Sequence, residues 1–249
     1  MESNSPAPDA NTAQDLFRVI LLEPKESLNI GSVARAMMNL GFRDLVLASP
    51  LNFELERAAT TARRARSLFE PPKIAANLKE GIYPCTYVVG FSTKDSKNTP
   101  PVLTLDQWAQ TVPTLCKSIN AKIGLLFGPE DTGLRYEHLP VCNAVVRIPS
   151  SDEYDSLNLA QAVLLALYSI NLLSIPSAKK GKEASATAEQ FSAMDELIIE
   201  ISGKSKFSNE GTPENTLGLL KNLFRRPELT QREMQILLGF FSRIGKSID

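Results

Sequence analysis

The sequence predicts an α/β domain built on a mostly parallel sheet with helices on both of its faces. Five short apolar runs alternate with helical segments, at residues 17–22, 44–48, 86–91, 122–127 and 144–148. Short runs that are mostly apolar are typical of strands buried on both sides, and the helices between them supply the crossovers of a parallel sheet. Ligands of such sheets bind at the carboxyl ends of the strands, so the residues after each strand are the first candidates for a site.

The helical segments are predicted from their ends and from their apolar pattern. Asn29 is placed to cap the first helix, which runs to Leu40 and stops at Gly41. A second helix is expected over residues 105–119, with Pro113 as an internal fault. Residues 156–173 form a long helix that is apolar on nearly every face, and such a helix is buried on all sides or lies in a subunit interface.

Composition divides the chain into four parts. Residues 1–15 are polar, lack the features of a signal peptide and predict a disordered tail. The α/β domain is expected over residues 16–176, and a low-complexity linker over residues 177–190. Residues 191–249 carry three helical patterns, the second opening near Pro213 and the third with a capping box that begins at Thr230. We therefore expect a small helical extension after the α/β domain.

The overall composition excludes several classes of protein. No apolar stretch is long enough to span a membrane, so no membrane partner is expected. The three cysteines lie far apart in sequence, at Cys85, Cys116 and Cys142. We therefore expect them to be buried, reduced thiols of a cytoplasmic protein. The single histidine, His138, follows a polar stretch and is expected at the surface without a chemical role. With one histidine and no cysteine pair, no metal site is expected.

Charge is balanced overall but not locally. The net charge is −1, so bulk charge does not indicate a nucleic-acid partner. Residues 57–73 nevertheless hold one acid, Glu70, and five basic residues: Arg57, Arg63, Arg64, Arg66 and Lys73. This segment is either a phosphate-binding patch or a solvated helix face.

Three segments that follow strands carry the candidate chemistry, whereas the glycine-rich motifs of dehydrogenases and P-loop NTPases are missing. Residues 29–35 begin a helix and place Arg35 almost two turns along it. The alternative to a chemical role for this segment is an ordinary capped helix with a solvent-facing arginine. Residues 127–133 place two glycines around Glu130, in a tight loop that a ligand can approach or in an ordinary turn. Residues 148–158 lead into the long helix, where they hold a polar ligand or provide a cap from Asp155 or Ser156.

Together these segments resemble the three motifs of the TrmH-like class of SPOUT methyltransferases, and most closely its TrmJ group. The first motif is matched by Asn29, Gly31, Ser32, Ala34 and Arg35. The second is matched by Phe127, Gly128, Glu130, Gly133 and Leu134, and the third by Ser156, Leu157, Asn158, Leu159 and Ala160. The resemblance covers residues 17–173, and the tail resembles the helical extension of the TrmJ group more loosely.

The resemblance implies a homodimer with a trefoil knot near the C-terminal end of the α/β domain. It implies S-adenosylmethionine (SAM) as cofactor, tRNA as partner and no metal. The implied activity is methylation of the ribose 2′-hydroxyl of cytidine or uridine, at position 32 of the anticodon loop. An rRNA methyltransferase of the same class and a non-catalytic tRNA-binding protein are the alternatives.

The resemblance also assigns roles to residues. The cofactor-binding residues it implies are Phe91, Ser92, Thr93, Gly128, Ile148, Asp155, Ser156 and Leu157. The substrate-binding residues are Asn29, Arg35 and Glu130, and the catalytic residues are Arg35, Ser156 and Asn158. Arg35 acts either as a base with a lowered pKa or as a clamp on the phosphate beside the target ribose.

Overall fold

The computed structural model describes residues 13–94, 100–117, 122–151, 153, 156–173, 186–205, 207, 216–225 and 229–248. Most of the expected N-terminal tail and linker therefore lies outside the described residues, as do Asp155 and Pro213. A short 3-10 helix, Ala13–Leu16, leads into the first strand, so the last residues of the expected tail are helical.

Seven parallel strands form one sheet, which confirms the predicted fold class. Their order across the sheet is β3-β2-β1-β6-β4-β7-β5. The strands are β1 (Phe17–Leu22), β2 (Leu45–Ala48), β3 (Ile74–Ala75), β4 (Tyr87–Phe91), β5 (Val102–Thr104), β6 (Ile123–Phe127) and β7 (Ala144–Arg147). The five predicted strands are confirmed to within one residue at each end. Strands β3 and β5 are not among the predicted ones, because both are short edge strands without an apolar run.

Helices cover both faces of the sheet, as predicted. They are α1 (Ser27–Asn39), α2 (Leu55–Ala62), α3 (Leu78–Ile82), α4 (Leu105–Leu115) and α5 (Leu159–Asn171), with 3-10 helices at Arg63–Leu68 and Tyr136–Val141. Val19 and Leu21 of β1 pack into the core beneath α1, α2, α4 and α5. Ile20 and Leu22 point to the opposite face and pack with α3 and the 3-10 helix Tyr136–Val141. This alternation along β1 separates the two core layers.

Two predicted helix starts are wrong. Helix α1 begins at Ser27, so Asn29 lies inside the helix and does not cap it. Helix α5 is capped by Asn158, whose Oδ1 accepts a hydrogen bond from the amide of Ala160 at 2.9 Å, and not by Asp155 or Ser156. The first difference depends on a contact between segments, since Glu130 binds the amides of Lys25 and Glu26. The second is local, because Asn158 and Gln161 form a capping box. The end of α1 at Gly41, with φ of 84°, is as predicted.

Helix α5 is buried on one face only. Val163, Ala166, Leu167 and Ile170 are buried, whereas Leu164, Leu165, Tyr168 and Leu172 are 42%, 40%, 51% and 67% exposed. Of the two alternatives, burial on all sides within one chain is therefore wrong, and a subunit interface stays a prediction. The trefoil knot implied by the resemblance also stays a prediction.

The tail is helical, as expected, and has its own small core. Its helices are α6 (Ala188–Lys204), α7 (Thr216–Arg225) and α8 (Gln231–Ser247). The predicted capping box at the start of α8 is confirmed, since the amides of Thr230 and Glu233 bond each other's side chains. Helix α6 begins within the expected linker, and its first residue, Ala188, is buried and donates its amide to the carbonyl of Cys85. The first tail helix therefore contacts the α/β domain directly.

None of the helices within the described residues has the length and apolar character that crossing a membrane would require.

Candidate active site

A cavity of about 230 Å³ opens at the carboxyl ends of β4, β6 and β7. Its walls are the loops after these strands and the first turn of α5. The structure brings together around it most of the residues assigned to the cofactor, namely Phe91, Ser92, Thr93, Gly128, Ile148, Ser156 and Leu157, together with Glu130. The cavity is therefore where a parallel sheet of this kind binds its ligand.

The inner end of the cavity is aromatic. Phe91 and Phe127 end the neighbouring strands β4 and β6 in register, and their rings stack with centroids 4.5 Å apart. Trp108 of α4 packs edge-on against Phe91 at 5.7 Å. These contacts make a rigid apolar surface against which a flat ring can lie.

The glycines of the loop after β6 are needed for the fold of the loop itself. A Cβ atom on Gly128 would lie 2.3 Å from the carbonyl carbon of Gly133 and 2.4 Å from the amide nitrogen of Leu134. Gly133 has φ of 60°, and its amide donates to the carbonyl of Pro129 at 2.8 Å. Gly128 therefore allows the loop to close on itself, a reason that the spacing of the two glycines did not reveal.

Two basic residues that the sequence analysis missed join the loops of the cavity. The Nζ atom of Lys94 donates to the carbonyls of Thr132 and Leu134 at 2.7 and 2.9 Å. Arg147 donates to the carbonyl of Thr93 at 2.9 Å. The position of Lys94 directly after Thr93 was the one available signal.

Glu130 binds the N-terminus of α1. Its carboxylate accepts hydrogen bonds from the amides of Lys25 and Glu26, at 3.0 and 3.1 Å, and from Nδ2 of Asn29 at 3.1 Å. The N-cap residue of α1, Glu26, makes no side-chain capping bond of its own. Glu130 thus binds, from a distant loop, the two backbone amides that lead into the helix, and its negative charge is favourable at a helix N-terminus.

Asn29 continues this network to α5. Its Oδ1 accepts a hydrogen bond from Nδ2 of Asn158 at 3.1 Å, while Oδ1 of Asn158 caps α5. The chain of bonds from Glu130 through Asn29 to Asn158 therefore connects all three motifs. Each motif lies on a different element, so their mutual geometry depends on these bonds.

Gly31 of the first motif packs against α2. A Cβ atom on Gly31 would lie 2.0 Å from the carbonyl oxygen of Ala58 and 2.3 Å from Oγ1 of Thr61, so only glycine allows this contact between α1 and α2. Arg35 lies one turn further along α1 and is exposed. Its side chain has no ion-pair or hydrogen-bond partner in the part of the chain that the structure describes, and Arg35 is not part of the cavity wall.

His138 is buried, so the expectation of a surface position is wrong. Its Nδ1 accepts a hydrogen bond from the amide of Arg135 at 3.2 Å. Burial, followed by the charge of Arg135, lowers the pKa of His138 and favours the neutral ring. Arg135 in turn forms a two-point ion pair with Glu23. The imidazole therefore supports a turn and lies outside the cavity wall.

The three cysteines are free and buried, as expected. Burial raises the pKa of Cys85 to about 12 and that of Cys116 to about 11, so neither is a reactive thiolate. Among the described residues, no group of three or more histidine, cysteine, aspartate or glutamate side chains could hold a metal ion.

The fold and the cavity define an α/β protein that binds a ligand between loops at the carboxyl edge of a parallel sheet. The chain belongs to the SpoU rRNA Methylase family, whose model matches residues 16–168. This membership confirms the resemblance on which the motif assignment rests.

Proteins similar to this chain extend over the tail as well. The tRNA (cytidine/uridine-2′-O-)-methyltransferase TrmJ of Sodalis glossinidius is 30% identical over 233 residues, which cover 92% of this chain and 91% of that protein. The tRNA (cytidine/uridine/adenosine-2′-O-)-methyltransferase TrmJ of Pseudomonas aeruginosa is 29% identical and covers 93% and 95%. The crystal structure of TrmJ from Z. mobilis matches with a TM-score of 0.74 and 28% identity, covering 91% of this chain and 98% of that one.

Proposed function

We propose that this chain is a SAM-dependent tRNA 2′-O-methyltransferase that acts on the ribose of cytidine or uridine. The observation that carries the proposal is the hydrogen-bonded network of Glu130, Asn29 and Asn158, which connects the three motifs beside one cavity. The TrmJ relatives support tRNA as the substrate, because their similarity includes the helical tail. Position 32 of the anticodon loop is the proposed target.

The residues of the cavity fit the proposed cofactor. The stacked rings of Phe91 and Phe127 provide an apolar surface for a purine, and the loops around them offer backbone groups and the hydroxyls of Ser92, Thr93 and Ser156. When bound, SAM supplies a methyl group that is already activated as a sulfonium, so the transfer itself needs no metal. The chain's own residues must align the acceptor hydroxyl and remove its proton, and alignment alone supplies about 7–11 kcal/mol.

Arg35 is the proposed catalytic residue, and the structure leaves its guanidinium available to a substrate. It is exposed and has no ion pair or hydrogen bond among the described residues. Both amide atoms of Asn158 are already engaged within the chain, whereas Ser156 is exposed at the cavity. We therefore assign Asn158 to positioning and keep Ser156 beside Arg35 as the residue that contacts the acceptor ribose.

Methyl transfer to tRNA transcripts, followed by mapping of the modified ribose, tests the proposal. Arg35→Ala should remove methyl transfer while SAM affinity stays within about twofold, because Arg35 lies outside the cavity wall. Arg43→Ala, which changes an exposed arginine beyond the end of the same helix, is the matched control. Near-normal turnover of Arg35→Ala would contradict the assignment.

Arg35→Lys separates the two roles of the arginine. If Arg35 binds a phosphate, the Arg35→Lys variant should keep partial activity, and tRNA affinity should fall in Arg35→Ala. If Arg35 is the base, methyl transfer by Arg35→Lys should recover at raised pH, and tRNA affinity should hardly change in Arg35→Ala. Single-turnover rates across pH, with tRNA affinity measured separately, distinguish these results.

A second candidate substrate is rRNA, because the matched family is named for rRNA methylation. The same assay with rRNA fragments compares the two substrates, and preferential modification of rRNA would overturn the choice of tRNA. SAM binding without transfer to either RNA would favour a non-catalytic RNA-binding protein.

A second copy of this chain is the proposed protein partner. The motivation is the exposed apolar face of α5, formed by Leu164, Leu165, Tyr168 and Leu172. A contiguous exposed apolar patch of this kind marks an interaction surface. An obligate dimer would bury more than about 2,000 Å² in total.

A further inference from the structure

The structure divides the basic segment of residues 57–73 into paired and unpaired arginines. Arg57 forms an ion pair with Glu26 at 3.3 Å, and Arg66 forms ion pairs with Glu56 and Glu70 at 2.7 and 2.6 Å. Lys73 pairs with Asp44 at 2.9 Å. These three basic side chains are therefore neutralised by carboxylates of the chain itself.

Arg63 and Arg64 are different. Both are exposed, and neither side chain has an ion-pair or hydrogen-bond partner within the described ranges. They are adjacent at the junction of α2 and the following 3-10 helix. The excess positive charge of the segment is thus concentrated on two neighbouring guanidinium groups.

The backbone of Arg63 supplies an independent observation. Its φ is 55°, in the left-handed region that favours glycine. A non-glycine residue in such a conformation is strained, and strained residues cluster at binding sites. An arginine at a position better suited to glycine points to a role for its side chain.

The position of these arginines relates them to Arg35. Helix α1 contacts both α2 and the 3-10 helix that begins at Arg63. Gly31 packs against Ala58 near the middle of α2, and Arg35 lies one turn further along the same side of α1. The two unpaired arginines at the end of α2 and Arg35 of α1 therefore belong to the same helical layer, on one face of the sheet.

We propose that Arg63 and Arg64 bind the phosphodiester backbone of the RNA substrate beside the nucleotide that Arg35 contacts. The inference rests on the proposed function and names the element that positions the RNA strand. Guanidinium groups bind phosphate through paired hydrogen bonds. Phosphate contacts fix the register of a nucleic acid without reading its sequence.

The test compares full-length wild-type protein with the double variant R63Q/R64Q. The dissociation constant for a tRNA transcript is measured over a range of salt concentrations. Loss of two phosphate contacts should reduce the magnitude of the slope of log K against log salt by about 1.4 to 1.8. SAM affinity should stay unchanged. K79Q is the matched control, since Lys79 is exposed on α3, on the opposite face of the sheet, and should leave the slope at its wild-type value.

R63G separates a binding role from a structural one. Glycine relieves the strained φ, so the melting temperature should rise while tRNA affinity falls. A variant with both higher stability and unchanged tRNA affinity would overturn the role of Arg63.

The outcomes also distinguish this inference from the proposed function. If wild-type protein methylates tRNA and R63Q/R64Q keeps the wild-type salt slope, the inference fails while the function stands. If wild-type protein binds tRNA without methylating it and the slope falls in the variant, the inference stands and the function fails. Binding of no RNA by the wild type would overturn both.

Discussion

Glu130→Ala tests whether the network between the motifs holds α1 in place. The substitution removes a carboxylate that accepts three hydrogen bonds, two from the amides of Lys25 and Glu26 and one from Asn29. It also removes the negative charge at the N-terminus of α1 and frees Asn29 from one of its two partners. The helix then has no side-chain cap, because Glu26 provides none.

The expected loss follows from these contacts. A hydrogen bond to a charged group contributes about 1.5–3 kcal/mol, and a lost N-cap costs about 0.5–2 kcal/mol. The three hydrogen bonds share one half-buried carboxylate, so their free-energy contributions do not add. In the variant, water can also accept hydrogen bonds from some of the donors that lose this carboxylate. We expect a total loss of about 2–3 kcal/mol. For a chain of this length that loss lowers the melting temperature by roughly 4–12 °C.

Thermal unfolding of the purified protein measures this change, and Asp131→Ala is the matched control. Asp131 is the next residue in the same loop, but its partner is the exposed Nζ atom of Lys25, and both side chains are well solvated. Its removal should change the melting temperature little. In Glu130→Ala, methyl transfer should fall further than SAM affinity, because Asn29 and Asn158 lose their alignment. An equal loss of stability in the two variants, or none in Glu130→Ala, would refute the reasoning.

Three further predictions concern the interface, the tail and pH. Leu164→Asp places a charge on the exposed apolar face of α5 and should convert a dimer to a monomer in light scattering; a monomeric wild type at micromolar concentration would contradict the dimer. A chain that ends at Leu173 should fold and bind SAM in calorimetry yet methylate tRNA poorly, and activity equal to that of the full chain would exclude a substrate-binding role for the tail. Burial alone would raise the pKa of Asp44, but hydrogen bonds from Lys122 and Lys73 and the charge of Arg18 outweigh it and hold that pKa well below its usual value. A depressed pKa stabilises the fold above the unfolded pKa near ~4 and loses this effect as pH falls further. Asp44→Asn should therefore cost roughly 2–3 kcal/mol at pH 7 and flatten the fall in unfolding free energy below about pH 4; a wild-type profile in the variant would rule this out.

Much of the α/β domain could be predicted from the sequence, because its determinants are local. A parallel strand that is buried on both faces is apolar over most of its length, so the five central strands can be recognised as apolar runs even though β1 contains Arg18 and β7 ends at Arg147. The capping box at Thr230 and the end of α1 at Gly41 are equally local, since each depends on a few consecutive residues. The three motifs could be recognised for the same reason, as each is a short run after a strand.

Whatever depends on contacts between distant segments could be decided only by the tertiary structure. The residue type of Asn29 predicts a helix cap, but the helix begins two residues earlier, at Ser27. Asn29 instead donates a hydrogen bond to Glu130, about a hundred residues away in sequence. The partners of Arg57 and Lys73 are also distant in sequence, Glu26 by 31 residues and Asp44 by 29, so the charge of the basic segment could not be apportioned from spacing alone. The five central strands and the motifs that follow them could be predicted from the sequence alone, whereas the edge strands β3 and β5 could not. The tertiary structure decided which side chains those motifs bind within the chain and which are left for a substrate, because hydrogen bonds and ion pairs form between neighbours in space.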